Sequence, residues 1–388
     1  EMQRSLVGSE MCIRDSFMSN ENNEEIELFD YMDEESESRK IPVNKKEKTG
    51  GRSGRLKKKK KAGALTWVGR VAATIGITLA LIIVWLYGVM AVLVYGPSKT
   101  AKNQFVLSVQ ETSAIGFLAN IFCSQEEIDA IKAANSIKDT DEVTDTSLVS
   151  IDTEDNSEVP DIEIIDVKGS TYSGKLMKIK DPSRLFVGTI EGFHQGNGQV
   201  VADIAKRYDA VGGVNGGEFV DGETTYTGMP IGLVMINGEQ VNGNSGSTYH
   251  VTGITFDNKL VVGNMTAEQA KQNNIRDCVS ISNSIGPFLI INGEAQDVSG
   301  TGGGLNPRTA LGQTSDGSII LLAIDGRMAN SLGASFSDLQ DIMLQYGAVN
   351  ASVMDGGTST QMYYEGEVIN TPYSPTGPRT CPTAWLVK

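Results

Sequence analysis

Four short stretches place polar residues where an apolar run stops. In VMDGGTST, Val353 to Thr360, two apolar residues run into one carboxylate, Asp355, followed by Gly356, Gly357, Thr358 and Ser359. In GGVNGGEF, Gly212 to Phe219, the run ends on Asn215; Gly216, Gly217 and Glu218 follow. In GGGLNPRTALG a glycine run leads to Arg308 and Thr309, with Pro307 fixing the approach. In LLAIDGR a strongly apolar run ends on Asp325 and Arg327. The shared logic is positional. A strand pins its last residue, so a polar side chain there is well placed. Glycines beyond it allow a ligand close to the backbone, whose N–H groups bind anions. Arg308 offers a planar fork for a phosphate or carboxylate. Asp355, Asp325 and Glu218 are carboxylates able to protonate a leaving group or attack a sugar carbon. The plainer readings stand beside these: Asn-Gly-Gly, Asp-Gly-Gly and Asp325-Gly326 as turns, Arg308 as a salt-bridge partner, His194 in an exposed loop, and His250 on a strand.

These stretches need strands to hold them, and the second half of the chain has the texture of strands. Apolar, β-branched runs are punctuated by Asn237-Gly238, Asn292-Gly293, Asp316-Gly317 and Glu365-Gly366. Such pairs supply the positive φ of two-residue hairpins. Helical patterns are fewer: Gln199–Tyr208, Thr266–Asn274 and Ser335–Gly347. The last has Ser335 as cap, Asp338 at the capping-box position and Gly347 as stop. The expected fold is α+β, with a mixed, mostly antiparallel sheet and a few helices, preceded by one transmembrane helix.

The first half is organised differently. Ser5–Ser16 resembles a translated sequencing-adaptor read-through, so residues 1–17 are set aside as an assembly artefact and the natural chain is expected from Met18. Residues 18–65 form an acidic and then a Lys-rich stretch without core-forming residues, expected to be a disordered tail. Residues 66–96 contain Val71–Tyr95, 25 residues without a charge. As a helix this run is about 37 Å long, enough for a hydrocarbon core of about 30 Å. Trp67 and Tyr95 lie near its ends, as interfacial aromatics do. A cleaved signal peptide is the alternative, but its apolar region would be shorter. The Lys/Arg cluster on the N-terminal side places that side in the cytoplasm, giving a single-pass protein of the cell membrane with its main domain outside. Residues 97–160 are expected to be a stalk, with a short helix capped by Ser124 and an acidic, solvated linker. The folded domain follows over 161–388.

The net charge is −15, unevenly spread: 15 of the 33 Lys/Arg and 13 of the 48 Asp/Glu precede residue 97, leaving 18 basic against 35 acidic residues. That acidic surface argues against nucleic acid. Four cysteines without a CxxC pair give neither a zinc site nor a disulfide framework; Cys278 and Cys381 pair only if the fold joins them, and otherwise are buried thiols. Two histidines rule against a His-rich metal centre. No cofactor is expected. A Ca²⁺ requirement stays open, because Asp, Asn and carbonyl oxygens hold it without a linear signature.

In this order GGVNGGEF, GPFLIINGE, NPRTALGQTSDGSIILLAIDGR, DLQDIMLQYGAVNASVMDGGTSTQMYYEGEVIN and RTCPTAWLV resemble the phosphodiester glycosidase domain, over roughly Lys180 to Lys388. That is the catalytic domain of the lysosomal uncovering enzyme, and bacterial members are often labelled exopolysaccharide-biosynthesis proteins. The resemblance implies hydrolysis between an anomeric carbon and a phosphate, with a phosphosugar or cell-surface glycan as substrate. By motif position it implies Asp355 as the main acid/base or nucleophile, Asp325 in support and Arg308 on the phosphate. Asn215, Gly216, Gly217, Thr309, Arg327, Gly356, Gly357, Thr358 and Ser359 would surround the substrate. Glu218 departs from the pattern, because many members carry an aromatic residue there; it adds an acid beside the pocket. Two other functions fit the same residues: a glycan-binding module without catalysis, and a glycosidase acting on phosphate-free cell-wall polysaccharide.

Overall fold

The computed structural model describes residues 64–110, 115–135, 140–151, 160–194, 196–220, 227–282, 285–298, 304–374 and 377–388. The expectations for residues 1–17 and most of the 18–65 tail lie outside the described residues. Seven α-helices occur among them: α1 (Ala64–Tyr95), α2 (Lys99–Gln110), α3 (Phe117–Phe122), α4 (Gln125–Ala134), α5 (Val201–Arg207), α6 (Ala267–Gln272) and α7 (Phe336–Gln345). The strands are β1 (Ile162–Lys168), β2 (Ser173–Ile179), β3 (Leu185–Thr189), β4 (Gly212–Asn215), β5 (Val234–Ile236), β6 (Glu239–Asn242), β7 (Thr248–Thr255), β8 (Leu260–Thr266), β9 (Ile275–Ser280), β10 (Phe288–Ile291), β11 (Glu294–Ala295), β12 (Arg308–Thr314), β13 (Ile319–Ile324), β14 (Ala348–Met354), β15 (Met362–Tyr364), β16 (Glu367–Val368) and β17 (Thr383–Val387).

The class is α+β, and the strands form three sheets rather than one. Their orders are β1-β2-β13-β12-β14-β10-β11, β16-β15-β4-β17-β3 and β6-β5-β9-β7-β8. The ladders between these strands are antiparallel. One core joins all three, with Met177, Leu311 and Leu321 from the first, Val214, Met362 and Trp385 from the second, and Ile254, Val262 and Val279 from the third. The central strands of the first sheet are buried on both faces. Along β13, Ile319, Leu321 and Ala323 enter that shared core, whereas Ile320, Leu322 and Ile324 pack under Phe336, Leu339 and Met343 of α7. The two-residue period thus explains why β13 is apolar at every position.

Most of the local signals act as expected. Asn237-Gly238, Asn292-Gly293 and Glu365-Gly366 all have positive φ at both residues, as a type I′ turn requires. Asp316-Gly317 differs: only Gly317 is positive, at +91°, and Asp316 instead uses its carboxylate to accept from the Ser318 N–H at 3.0 Å. Ser335 and Asp338 form the capping box of α7, and Ser124 caps α4 by accepting from the Glu127 N–H.

Two N-terminal expectations change. The short stalk helix is two helices, α3 and α4, broken at Cys123-Ser124 and joined by α2 in a small cluster. The linker is docked over residues 140–151. Thr144 Oγ1 receives a bond from the Val262 N–H at 3.0 Å, Asn292 Oδ1 accepts from the Asp145 N–H at 2.6 Å, and the Ser150 N–H donates to Ser315 O at 2.9 Å. Its small hydroxyl and amide groups act as backbone partners, which low hydropathy alone does not reveal. Within α1, Thr66–Tyr95 is long and apolar enough to cross a membrane and is almost wholly exposed.

Candidate active site

The site is built where β4 and β14, from different sheets, end side by side. Asp355 follows the last residue of β14. Its N–H donates to Gly216 O at 3.2 Å, and its carbonyl accepts from Asn215 Nδ2 at 2.7 Å. Asn215 Oδ1 in turn accepts from Thr309 Oγ1 at 2.8 Å and from the Gln361 N–H at 3.2 Å. Asn215, Thr309 and Gln361 are fully buried. Asn215 therefore holds three chain segments together, and its polar atoms are turned inward.

The glycines are explained by close packing. A Cβ on Gly216 would lie 2.4 Å from Thr383 Oγ1, one on Gly217 2.4 Å from Ser280 O, and one on Gly356 2.9 Å from Pro307 O. The amides of Gly216, Gly217 and Gly357 are engaged within the protein as well. Gly216 donates to Thr383 O at 3.0 Å, Gly217 to Thr383 Oγ1 at 3.2 Å and Gly357 to Pro307 O at 2.9 Å. The expected role of these glycines was to open backbone N–H groups to an anion. The geometry instead uses them to bring three strand ends into contact.

Asp355 keeps part of its surface open, yet its carboxyl is surrounded by protein in depth. Burial raises its pKa to about 6. A hydrogen bond from Ser359 opposes the rise, the Glu218 carboxylate adds to it, and the Arg379 guanidinium and the Gly356 N–H oppose it. Glu218 is held in place: its Oε2 accepts from the Ser282 N–H at 2.7 Å, and its own N–H donates to Ser280 O at 3.0 Å. Arg379 lies 5.5 Å from the Phe219 ring centroid, and its carbonyl accepts from Gln361 Nε2 at 2.7 Å. On another side of the loop, Arg327 lies against Gly357 and donates to Asn306 Oδ1 at 3.1 Å through Nη2. Arg327 has a φ of +57°, a left-handed conformation uncommon for a side-chain-bearing residue. Thr358 is half-buried on the same loop, and Ser359 is buried.

Two expected members turn their polar groups to other partners, although Arg308 Cδ lies 3.8 Å from the place a Cβ on Gly356 would take. Arg308 is 4% exposed on the α7 face of the sheet. Its guanidinium stacks 4.1 Å from the Phe336 ring centroid and donates to Gly304 O at 3.1 Å and Ala334 O at 3.3 Å. The strand's alternation sends neighbouring Thr309 to the opposite face, toward Asn215. Asp325 accepts from the Thr371 N–H at 2.8 Å and from Asn370 Nδ2 at 3.0 Å, and burial holds its pKa above the ordinary carboxylate range. Asn370 also supports the Met362 N–H at 2.7 Å, so Asp325 braces the segment after the site loop.

The structure thus gathers Asp355, Ser359, Glu218 and Arg379, with Arg327 alongside Gly357. Arg379 was not singled out in the sequence, although it opens the RTCPTAWLV stretch. Cys278 and Cys381 are free and buried, each thiol pushed up to about 12 by burial. Among the described residues there is no group of three or more His, Cys, Asp or Glu placed to hold a metal. His194 is exposed in a loop, and His250 stacks on Phe288 from within β7.

Residues 208–388 match the family model described as phosphodiester glycosidase. The SPbeta prophage-derived protein YomE of Bacillus subtilis (strain 168) is 42% identical over 65 residues, which are 17% of this chain and 10% of that relative. The chain thus spans only about a tenth of that relative's length. Among solved structures, the zebrafish N-acetylglucosamine-1-phosphodiester alpha-N-acetylglucosaminidase catalytic domain, auto-inhibited by its pro-peptide, superposes with a TM-score of 0.50 at 21% identity. That match covers 63% of this chain and 87% of that one, and it establishes a likeness of fold.

Proposed function

From the premise that residues 208–388 carry a phosphodiester glycosidase domain, we propose that this protein is a membrane-anchored hydrolase of sugar-1-phosphodiesters in cell-surface glycan or exopolysaccharide metabolism. In the reaction, the bond between the anomeric carbon and the phosphate oxygen breaks. Water supplies the sugar hydroxyl, and the phosphate leaves as a monoester. The observation that carries the reading is Asp355, a partly exposed carboxyl that burial raises to about 6, with Glu218 and Arg379 close enough to act on its charge. A group that titrates near neutrality can both hold and release a proton. Asp355 serves as the acid/base group, and Ser359 orients its carboxyl. Arg379 and Arg327 supply positive charge for the phosphate, the role that the motif resemblance assigned to Arg308. Glu218 keeps Asp355 protonated further into the neutral range. Asn215 and Thr309 position the Asp355 backbone from the interior.

The anchor is α1, with the Lys-rich side cytoplasmic and the domain outside the cell. The test uses the full chain in detergent, a panel of sugar-1-phosphodiesters and matched phosphate-free glycosides. Sugar release from the diesters alone, lost in Asp355→Asn, is the expected result. Release from the phosphate-free compounds would favour the ordinary glycosidase, and binding without release would favour the glycan-binding module.

A further inference from the structure

The helices between α1 and the sheets do more than separate them. Phe122, at the end of α3, has its ring centroid 4.9 Å from that of Tyr87 and 6.3 Å from that of Tyr95. The Tyr95 hydroxyl also donates to Phe122 O at 2.9 Å. Tyr87 lies about 12 Å before Tyr95 along α1. The α3 end therefore folds back beside the last turns of the apolar helix. Phe105 of α2 joins the same cluster, 6.5 Å from Phe122. On the outside of this collar Phe117 and Ile121 are 62% and 49% exposed, one helical turn apart, an apolar face at the level where α1 ends.

One turn beyond Phe105, Ser108 Oγ accepts from the Leu305 N–H at 3.0 Å. The fit is close, since a Cβ on Gly304 would lie 2.4 Å from Ser108 Oγ. Leu305 adjoins Asn306 and Pro307, the residues that hold Arg327 and the Gly357 N–H. The collar beside the membrane helix is thus fastened to the loop that borders the site.

Resting on the hydrolase reading, we propose that the substrate is a sugar-1-phosphodiester carried by a lipid of the same bilayer, delivered to a site that the α2–α3 collar holds at the membrane surface. Water then releases the free sugar, and the phosphate monoester stays on the lipid. A substrate confined to the surface gains effective concentration at a site held there, whereas a soluble diester gains none.

The test uses the full chain in lipid nanodiscs. One arm offers a lipid-borne sugar-1-phosphodiester in the same disc; the other offers the same amount of a water-soluble short-alkyl diester of the same sugar. The expected result is release from the lipid-borne compound faster by roughly tenfold or more. A second measurement does not depend on turnover. A fluorophore on Leu332→Cys, the native Cys123, Cys278 and Cys381 being buried, is paired with a headgroup-labelled lipid. Leu332 is 52% exposed and its carbonyl accepts from the Arg327 N–H, so it reports the height of the site rim. Efficient energy transfer is expected. Equal rates on the two diesters, or negligible transfer, would overturn the lipid-substrate proposal while leaving the hydrolase reading intact. Release from neither diester would overturn the hydrolase reading, and this proposal with it.

Discussion

Replacing Asp355 by Asn should stabilise the protein while abolishing its turnover. The reason lies in the enclosure of the carboxyl. Its ordinary value is 3.8 and the folded value is about 6. A difference of that size corresponds to roughly 3 kcal/mol between its two protonation states. The folded pKa is the raised one, so the stabilising contribution is full below about pH 4 and lost as pH rises through about 6. Above that range the ionised carboxylate opposes folding. Asn has nearly the same shape, can keep the Ser359 contact and cannot ionise. The variant should match wild type near pH 4 and exceed it by up to about 3 kcal/mol at pH 8, a rise in Tm of about 6–12 °C for a domain of this size. Thermal unfolding of both proteins in one detergent from pH 4 to pH 8 measures the difference. A variant less stable at pH 8, or a Tm difference that does not change with pH, would refute the claim that Asp355 sits ionised against its surroundings.

Glu218→Gln removes a charge that raises the Asp355 pKa, so the limb of the pH–rate profile that reports Asp355 should move to lower pH; Arg379→Gln removes one that lowers it and should move that limb upward. Arg308→Ala loses the Phe336 stacking and two carbonyl partners, and should destabilise by about 2–4 kcal/mol in denaturant melts while the folded fraction keeps its kcat. A lost kcat with an unchanged melt would return the phosphate to Arg308. Gly217→Ala should destabilise by about 1–3 kcal/mol in the same melts, because the new Cβ meets Ser280 O and not a ligand.

Much of the fold was legible because its signals are local. A hairpin turn needs positive φ within two residues, and Asn237-Gly238, Asn292-Gly293 and Glu365-Gly366 declare it. The Ser335/Asp338 capping box and the Ser124 cap are also complete within one helical turn. The docking of residues 140–151 was not legible, since Thr144 and Asp145 meet partners more than 100 residues away, on Val262 and Asn292. The number of sheets was likewise hidden, because strand pairing over long separations leaves no local mark.

For the site, the sequence by itself determined where the polar residues stop the strands. Asp355, Asn215, Glu218 and Ser359 stand out by type and spacing alone. Which of them face one another was decided only by tertiary structure. Side-chain alternation sends Arg308 and Thr309 to opposite faces of one strand, and the face each meets depends on which element packs there: α7 for Arg308, β4 for Thr309. Arg379 becomes a neighbour of Asp355 through the chain's return along β17 between β3 and β4. The same holds for the raised pKa of Asp355: a carboxylate's chemistry is set by the depth of protein around it, and depth is a property of the folded chain.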